Sequence, residues 1–473
     1  MTQTYKKYVY HPAKSVYLCK MNEMKDLKLR ILVAVLAIAA ASACHPDDSD
    51  DMNGSFGKDS AYTVISDQTY DFEEFLLDFL TDSPLASSLT DVQKILVAGL
   101  LDGYVTGLEN ELGISGGELG FRRVTYLYES TDQYGKKQDL SAMALWLGKL
   151  NGRRWKEISP ENICLMEHYT ITSDAECPSE GFPFESFING NSLVIMPDYI
   201  GYGATSDMIH PYMNHELCAV NSVDALEAGF ELFDELSAAD MKTGWQTIVA
   251  GASQGGGNAL AVHKYMDTRQ DLSAKWNFSH SYCAAGPYSP SLTVRKYIEA
   301  GKTDHPILFP LTLKGLRDSY PEILGRFPEE RMFSQAYIAS KDIIDAALES
   351  RQYTTAELND LCIEHLKTTS GDTDLASDEI YVEDIVSDEL LDSGSDLYAS
   401  LFECLEMNDL TEGWIPVHPI KLYYSEVDTV VPADNAFAVR DAFGTGKVTL
   451  VKGLPLEHSL SCVFWMLDVL DLY

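Results

Sequence analysis

The chain of 473 residues carries 72 acidic and 35 basic side chains, which gives a formal net charge of −37. A surface with this excess of carboxylates repels phosphate backbones, so the composition excludes nucleic acid as a partner and disfavours docking on anionic lipid through basic patches. Apolar residues make up 45% of the chain, enough for a sizeable core in one large domain with insertions or in two domains.

The N-terminus has the pattern of an export leader over residues 1–43. A basic stretch precedes an apolar run over 31–43, and that run is shorter than the about 20 residues that a membrane-spanning helix needs. The small residues Ala-Ser-Ala before Cys44 resemble the lipobox of bacterial lipoproteins, in which the cysteine carries the lipid. We therefore expect a lipid anchor at Cys44 that holds the protein at the outer membrane or cell surface of a Gram-negative bacterium. Plain secretion and a membrane anchor are the alternatives, and residues 44–61 form a short acidic tether.

The segment 62–118 is predicted to be an N-terminal helical segment. Within it, a helix over 62–105 is favoured because apolar side chains recur at helical spacing. These side chains are Phe72, Phe75, Leu76, Phe79 and Leu80. The spacing of apolar residues then changes from a helical to a strand-like pattern. Strand-like runs at 121–128 and 141–147 flank a polar turn at 131–135, and this pattern predicts a β-hairpin.

Beyond the hairpin, short apolar strands alternate with helices. The predicted strands are 162–166, 192–196, 247–250, 277–285, 420–424 and 448–451. Helices are predicted near 215–236, 256–269 and 459–472. This alternation predicts an α/β fold whose mostly parallel central sheet is covered on both faces, with a core over 119–286 and 419–473.

A long segment, 287–418, interrupts that core. It is acidic, has helical character and shows no evident strand. A structureless loop of this length is implausible within a compact domain, so we predict a helical cap inserted into the sheet topology.

The strongest chemical signal is Gly251-Ala-Ser253-Gln-Gly255, which lies between an apolar strand and a helix-compatible run. In this setting the serine occupies a strained strand-to-helix turn, and small neighbours keep the backbones from clashing. The N-terminal partial positive charge of the following helix points at the same place. We predict Ser253 to be a nucleophile, which requires a general base.

Partners for this serine follow it in the order acid, then histidine, as the motif requires. Asp428 lies on the loop beyond the strand at 420–424 and is the predicted acid. Glu426 is the rival, and a loop acid that contacts only water is the other alternative. His458 follows the last strand and is the only histidine between Asp428 and the C-terminus, so it is the predicted base.

The negative oxygen of a tetrahedral intermediate needs backbone donors. The amide of Gln254, directly after the nucleophile, is one predicted donor. The second is expected from the loop after the strand at 162–166, at the amide of Tyr169 or Thr170. His168 either orders that loop or is merely structural.

Together these segments resemble the secretory-lipase branch of the α/β-hydrolases, a group of capped lipases and esterases. The resembling segments are Tyr128–Gly135, His168–Thr170, Pro197–Gly203, Gly251–Gly255, Asp428–Pro432 and His458. The resemblance implies an α/β-hydrolase fold, with 287–418 as the helical cap and with Asp198 and Tyr199 shaping the pocket wall or contacting substrate. The family usually has His-Gly-Thr after the third strand, and here Tyr169 replaces the glycine, which leaves the second oxyanion donor open.

The resulting functional hypothesis is a carboxylic-ester hydrolase that acts through an acyl-enzyme on a small-molecule or lipid ester. A serine peptidase or amidase would use the same three residues. A non-catalytic surface-binding protein on a hydrolase scaffold is the third alternative, although such proteins usually lose the serine or the histidine. No cysteine pair has a CxxC spacing, so a zinc or redox site has no support. No metal or organic cofactor is implied.

Overall fold

The computed structural model describes residues 61–72, 75, 104–114, 118–152, 154–183, 185, 190–371, 376 and 378–470. The predicted leader, the lipidation site Cys44 and tether residues 44–60 lie outside these ranges. Among the described residues, no helix combines the length and the apolar character needed to cross a membrane.

Two compact units are distinguished along the chain. One comprises Met1–Asp48 and Phe72–Gly117, and its described part includes a helix over 104–112. The other comprises Ser49–Asp71 and Glu118–Tyr473 and contains all the features that follow.

The strands of the second unit are β1 (Tyr62–Asp71), β2 (Leu119–Thr131), β3 (Lys137–Asn151), β4 (Arg154–Glu157), β5 (Asn162–Glu167), β6 (Ser192–Pro197), β7 (Thr247–Ala252), β8 (Phe278–Ala284), β9 (Lys302–Thr303), β10 (Ile380–Tyr381), β11 (Ile420–Tyr424) and β12 (Val448–Lys452). The helices are α1 (His215–Leu236), α2 (Gln254–Asp267), α3 (Gln270–Lys275), α4 (Pro290–Ala300), α5 (Leu308–Ser319), α6 (Glu329–Met332), α7 (Gln335–Glu349), α8 (Thr355–Ser370), α9 (Asp388–Leu391), α10 (Asp396–Glu406), α11 (Asp434–Phe443) and α12 (His458–Leu470). Short 3₁₀ helices cover Asp174–Glu176, Gly203–Thr205 and Val382–Asp384.

One mixed sheet organises this unit, with strand order β1-β2-β3-β6-β5-β7-β8-β11-β12 and β4 paired to β3. From β6 to β12 every neighbouring pair is parallel, whereas β1, β2 and β3 pair antiparallel. The central parallel strands β5, β6 and β7 are almost wholly buried, as expected for a sheet covered on both faces. The predicted hairpin and the six predicted strands are all present.

The first strand corrects the sequence prediction. Residues 62–71, predicted to be helical, form β1 and pair antiparallel with β2 from Tyr62↔Tyr128 to Asp71↔Gly120. The helical apolar spacing that led to the prediction begins at Phe72, one residue after this strand ends. Because β1 is an edge strand, most of its side chains are partly or fully exposed, so it lacks the apolar alternation by which strands are recognised.

The inserted cap is helical, as predicted, and has its own apolar core. Helices α4 to α10 enclose a cluster of buried side chains that includes Leu316, Phe333, Leu358 and Leu401. The cap also contains a short antiparallel pair, β9 with β10, which the sequence analysis missed. Strands of two residues are too short to leave a periodic pattern.

Asp267, at the end of α2, links this helix by hydrogen bonds to Val417 and His418, where the chain leaves the cap. Its buried carboxylate accepts hydrogen bonds from His263 Nε2 (2.9 Å) and from the amides of Val417 (2.6 Å) and His418 (3.1 Å). The His418 ring contacts the other oxygen. Burial opposes the charge of Asp267, but the hydrogen bonds from His263 and His418 and the attraction of His263 outweigh it and hold the pKa of the carboxyl well below its usual range.

Asparagine at position 267 is expected to lower the free energy of unfolding by about 3 kcal/mol at pH 7, because buried donors lose a charged acceptor. The depressed pKa means that this stabilisation is present above the unfolded pKa of about 4 and is lost as the pH falls further. The difference in urea midpoint between wild type and Asp267→Asn should therefore be constant from pH 7 to about pH 5 and begin to narrow below about pH 4. The exposed Asp271 on α3 supplies the control, and Asp271→Asn should change stability by less than about 0.5 kcal/mol.

Candidate active site

Ser253 lies at the junction of β7 and α2. Its backbone has φ +56° and ψ −124°, a conformation that residues other than glycine rarely adopt. Its amide donates to the carbonyl of Ala284 on the neighbouring strand at 2.9 Å. A Cβ added to Gly251 would lie 2.3 Å from the carbonyl oxygen of Gly255, and one on Gly255 would lie 2.0 Å from that of Glu167. The turn therefore requires glycine at both flanking positions, as the sequence motif indicates.

The three predicted side chains come together although they are far apart in sequence. His458 Nε2 lies 2.8 Å from Ser253 Oγ, and His458 Nδ1 lies 2.8 Å from Asp428 Oδ2. The other oxygen of Asp428 accepts the amides of Val430 (3.0 Å) and Val431 (2.8 Å). These amides fix the carboxylate, which in turn fixes the imidazole with Nδ1 protonated and Nε2 free to accept the serine proton.

The rival acid, Glu426, points elsewhere. Its side chain is exposed and pairs with Lys452 on the adjacent strand at 2.5 Å. Asp428 is buried and hydrogen-bonded to His458. Of the two carboxylates, only Asp428 is placed to orient the imidazole.

His458 is buried, and burial alone would disfavour its charged form. Attraction to Asp428 and the hydrogen bond between them outweigh that effect, with further contributions from Glu457 and Asp304. The net result is a pKa of His458 raised above its usual 6.5. The imidazole is therefore a stronger base than a free histidine.

The loop after β5 lies against the start of α2, where the second oxyanion donor was expected. Gln254 is the first residue of α2, so its amide has no acceptor within the helix. The amide of Tyr169, however, donates to Oε1 of the buried Glu185 at 3.3 Å. The Thr170 hydroxyl lies 2.9 Å from the Tyr212 hydroxyl. The backbone carbonyl of Thr170 accepts a hydrogen bond from the hydroxyl of Thr355, at the start of α8. The roles of these residues as donors remain predictions, and Glu185 is an unexpected neighbour of one of them.

His168 supports the loop and the segment beside it. Its Nδ1 lies 2.7 Å from the carbonyl of Tyr169 and its Nε2 lies 3.2 Å from that of Asp198. Burial lowers the pKa of His168, and its ring packs 4.1 Å from that of Tyr199. These contacts hold the His168 ring between the loop and the segment that contains Asp198 and Tyr199.

Asp198 and Tyr199 also make internal contacts. Asp198 is fully buried and accepts hydrogen bonds from Ser141 Oγ (2.5 Å) and the amide of Ser179 (2.8 Å). Tyr199 has φ +70° and donates to the carbonyl of His168 at 3.3 Å. Each oxygen of the Asp198 carboxylate thus accepts a hydrogen bond from the protein.

His210 is a site residue that the sequence analysis missed. Its Nδ1 lies 2.7 Å from the carbonyl of Ile200, which leaves Nε2 to accept from the Gln254 side-chain amide at 2.7 Å. Burial lowers the pKa of His210 to about 3, so the ring is neutral near pH 7 and Nε2 can accept this hydrogen bond. His210 therefore fixes the side chain of Gln254, the residue that follows Ser253.

Two similar solved structures bear on the architecture. The rice cell wall degrading esterase LipA from Xanthomonas oryzae, in a ligand-bound form, is 19% identical over 78% of this chain and 92% of LipA, with a TM-score of 0.59. A candidate hydrolase from Legionella pneumophila is 16% identical over 87% of this chain and 96% of its own, with a TM-score of 0.60. The chain has the α/β-hydrolase fold.

Sequence comparison adds nothing to this likeness, since no family model and no curated protein matches the chain. At these identities the similarity concerns the α/β-hydrolase fold itself. The activity must be argued from the residues at the site.

Proposed function

We propose that the protein is a serine hydrolase of carboxylic esters. The observation that carries the proposal is the hydrogen-bonded chain from Ser253 through His458 to Asp428 on an α/β-hydrolase fold. Fold neighbours described as an esterase and a candidate hydrolase support the same reaction class.

In the proposed mechanism, His458 Nε2 takes the proton of Ser253 as its oxygen attacks the ester carbonyl. Asp428 holds the imidazole and stabilises its charged form, and the amide of Gln254 donates to the oxygen that becomes negative. His458 then protonates the departing alcohol, leaving an acyl group on Ser253. Water, deprotonated by His458, attacks this acyl-enzyme and releases the carboxylic acid.

Activity should appear as the pH rises through the pKa of His458. Only the neutral imidazole can accept the serine proton, and its pKa is raised above 6.5, so the acid limb of kcat/KM is expected above pH 6.5. Initial rates from pH 5 to pH 9 on a neutral ester measure the limb. A midpoint well below pH 6.5 would contradict the role of Asp428, whose charge raises the pKa.

The bond that is cleaved can be tested directly. We expect rapid turnover of p-nitrophenyl esters and much slower turnover of aminoacyl naphthylamides, which carry an amide bond. Faster amide cleavage would assign the same site to a peptidase or amidase. Failure of a fluorophosphonate probe to label Ser253 in folded protein would indicate a non-catalytic binding protein.

We further propose that the enzyme is exported and anchored through a lipid on Cys44, on the basis of the leader-like sequence before it. The protein would then contact the membrane through this anchor and would bind a small-molecule or lipid ester as its substrate. We propose no nucleic-acid partner. Labelling of cells with an alkyne-bearing fatty acid should mark the wild-type protein and not Cys44→Ser. Equal labelling of both would contradict the anchor.

A further inference from the structure

The segment 197–203 takes no part in the proposed mechanism, and the structure shows that it encloses His210. The carbonyl of Ile200 accepts a hydrogen bond from His210 Nδ1 at 2.7 Å, and the ring of Tyr202 packs 5.0 Å from the imidazole. Gly201 has φ +92°, and a Cβ built on it would lie 2.7 Å from the backbone nitrogen and the Cα of His210. The segment therefore forms a socket for His210 that requires glycine at position 201.

The imidazole of His210 in turn holds the side chain of Gln254. Because Nδ1 carries the proton donated to Ile200, Nε2 accepts, and the Gln254 side-chain amide nitrogen lies 2.7 Å from it. Both side chains are buried, and Oε1 of Gln254 makes no hydrogen bond within the described residues. In this part of the chain His210 is thus the hydrogen-bond partner that anchors the Gln254 side chain. Gln254 directly follows Ser253, and its backbone amide is the predicted oxyanion donor.

A proline-centred turn joins His210 to Tyr212. The amide of Tyr212 donates to the carbonyl of His210 at 2.7 Å, across Pro211, whose ring fixes its own φ. The hydroxyl of the buried Tyr212 lies 2.9 Å from the hydroxyl of Thr170, on the loop after β5. The Thr170 amide makes no hydrogen bond within the described part of the chain, whereas the Tyr169 amide is already engaged. Tyr212 therefore holds the residue whose amide is available as the second donor.

The cap rests on the same turn. Gly315, on α5, approaches it so closely that an added Cβ would lie 2.5 Å from the backbone nitrogen of Tyr212 and 2.9 Å from the carbonyl oxygen of His210. The turn is thus enclosed between the socket at 197–203 and the cap. Its two side chains consequently have little freedom to change their separation.

We propose that His210 and Tyr212 are positioning residues for the ester hydrolysis proposed above, on which this inference rests. Through the turn that joins them, they hold the side chain of Gln254 and the hydroxyl of Thr170. The start of α2 and the loop after β5 therefore keep a fixed separation around the ester oxygen that becomes negative. Backbone donors placed in this way stabilise the oxyanion without rearrangement. Neither His210 nor Tyr212 exchanges a proton.

A double-mutant cycle tests the link between His210 and Gln254. His210→Ala and Gln254→Ala are each expected to lower kcat on p-nitrophenyl acetate by about 10- to 10²-fold with little change in KM, because the displaced donor acts in the transition state. The double variant should be no slower than the slower single variant, since both substitutions remove the same hydrogen bond. His210→Gln, whose Oε1 can accept in place of Nε2, should recover most of the rate.

The acid limb of the pH–rate profile gives a readout that general damage to the site would move. His458 and Asp428 are unchanged in these variants, so the midpoint of the limb should keep its wild-type value. His263→Ala is the matched control, because this buried histidine on α2 hydrogen-bonds to Asp267. It should unfold at a lower temperature but keep a kcat close to wild type. If His210→Ala does not fold, His210→Phe replaces it in the cycle, since phenylalanine keeps a ring in the socket without an acceptor.

The contact between Tyr212 and Thr170 is tested in the same way. Tyr212→Phe and Thr170→Val each remove one hydroxyl, and each is expected to lower kcat by about 2- to 10-fold. The double variant should again match the slower single variant. Thermal unfolding of every variant shows whether the fold is retained.

Several results would overturn the inference. These are a wild-type kcat in His210→Ala, losses in His210→Ala and Gln254→Ala that multiply in the double variant, and an acid limb that moves with the loss. Losses that multiply between Tyr212→Phe and Thr170→Val would overturn the role of Tyr212. If wild type neither hydrolyses esters nor accepts the fluorophosphonate probe, the proposed function itself fails. A wild type that passes both tests beside any of the other results overturns the positioning role alone.

Discussion

Replacement of Ser253 by alanine is expected to reduce kcat on p-nitrophenyl esters by about 10⁶-fold, because the acyl group then has no oxygen to bind. His458 would retain its bond to Asp428, so the fold should survive. Rate measurements with purified protein, together with loss of fluorophosphonate labelling, check this expectation.

The exposed Ser206 beside a 3₁₀ helix provides the comparison. Ser206→Ala should label and turn over like wild type. If Ser253→Ala kept substantial activity, another nucleophile would be at work and the proposed mechanism would be abandoned.

The second large effect concerns the acid. Asp428→Asn should lower kcat by about 10⁴-fold, since asparagine cannot hold the imidazole in the tautomer that accepts the serine proton. The substitution also removes the charge that raises the pKa of His458. The acid limb of the residual activity should therefore move to lower pH, which a full pH–rate profile would detect.

Glu426→Gln is the matched control. Glu426 is an acid two residues from Asp428, and its ion pair in the described part of the chain is with Lys452. We expect its kcat to stay within about twofold of wild type, in line with the small energies of exposed ion pairs. A large loss in Glu426→Gln beside a small one in Asp428→Asn would reverse the assignment of the acid.

The sheet and the Ser253–His458–Asp428 arrangement could be predicted because each part leaves a local mark. Buried parallel strands are short apolar runs between turn residues, and β5, β7 and β11 all have this form. The strained turn at Ser253 demands glycines at fixed positions, and these are visible in the sequence. The order of serine, acid and histidine along the chain then points to Asp428 and His458 among the other candidates.

Other features leave no such mark. β1 is an exposed edge strand whose identity depends on pairing with β2, so its own residues did not reveal it. His210 reaches Gln254 across 44 positions of sequence, and Glu185 reaches Tyr169 across 16. Contacts of this kind arise only when the chain folds, because no spacing rule links the partners beforehand.

The separate apolar cluster of the cap has a consequence for how such an enzyme can diversify. Side chains such as Phe333 and Leu401 pack within the cap cluster, whereas Val249 and Leu260 pack in the cluster around the sheet. Substitutions in one cluster leave most neighbours in the other undisturbed, since packing is local. The insertion can therefore be remodelled over many generations while the packing around the sheet, on which Ser253 is placed, stays unchanged.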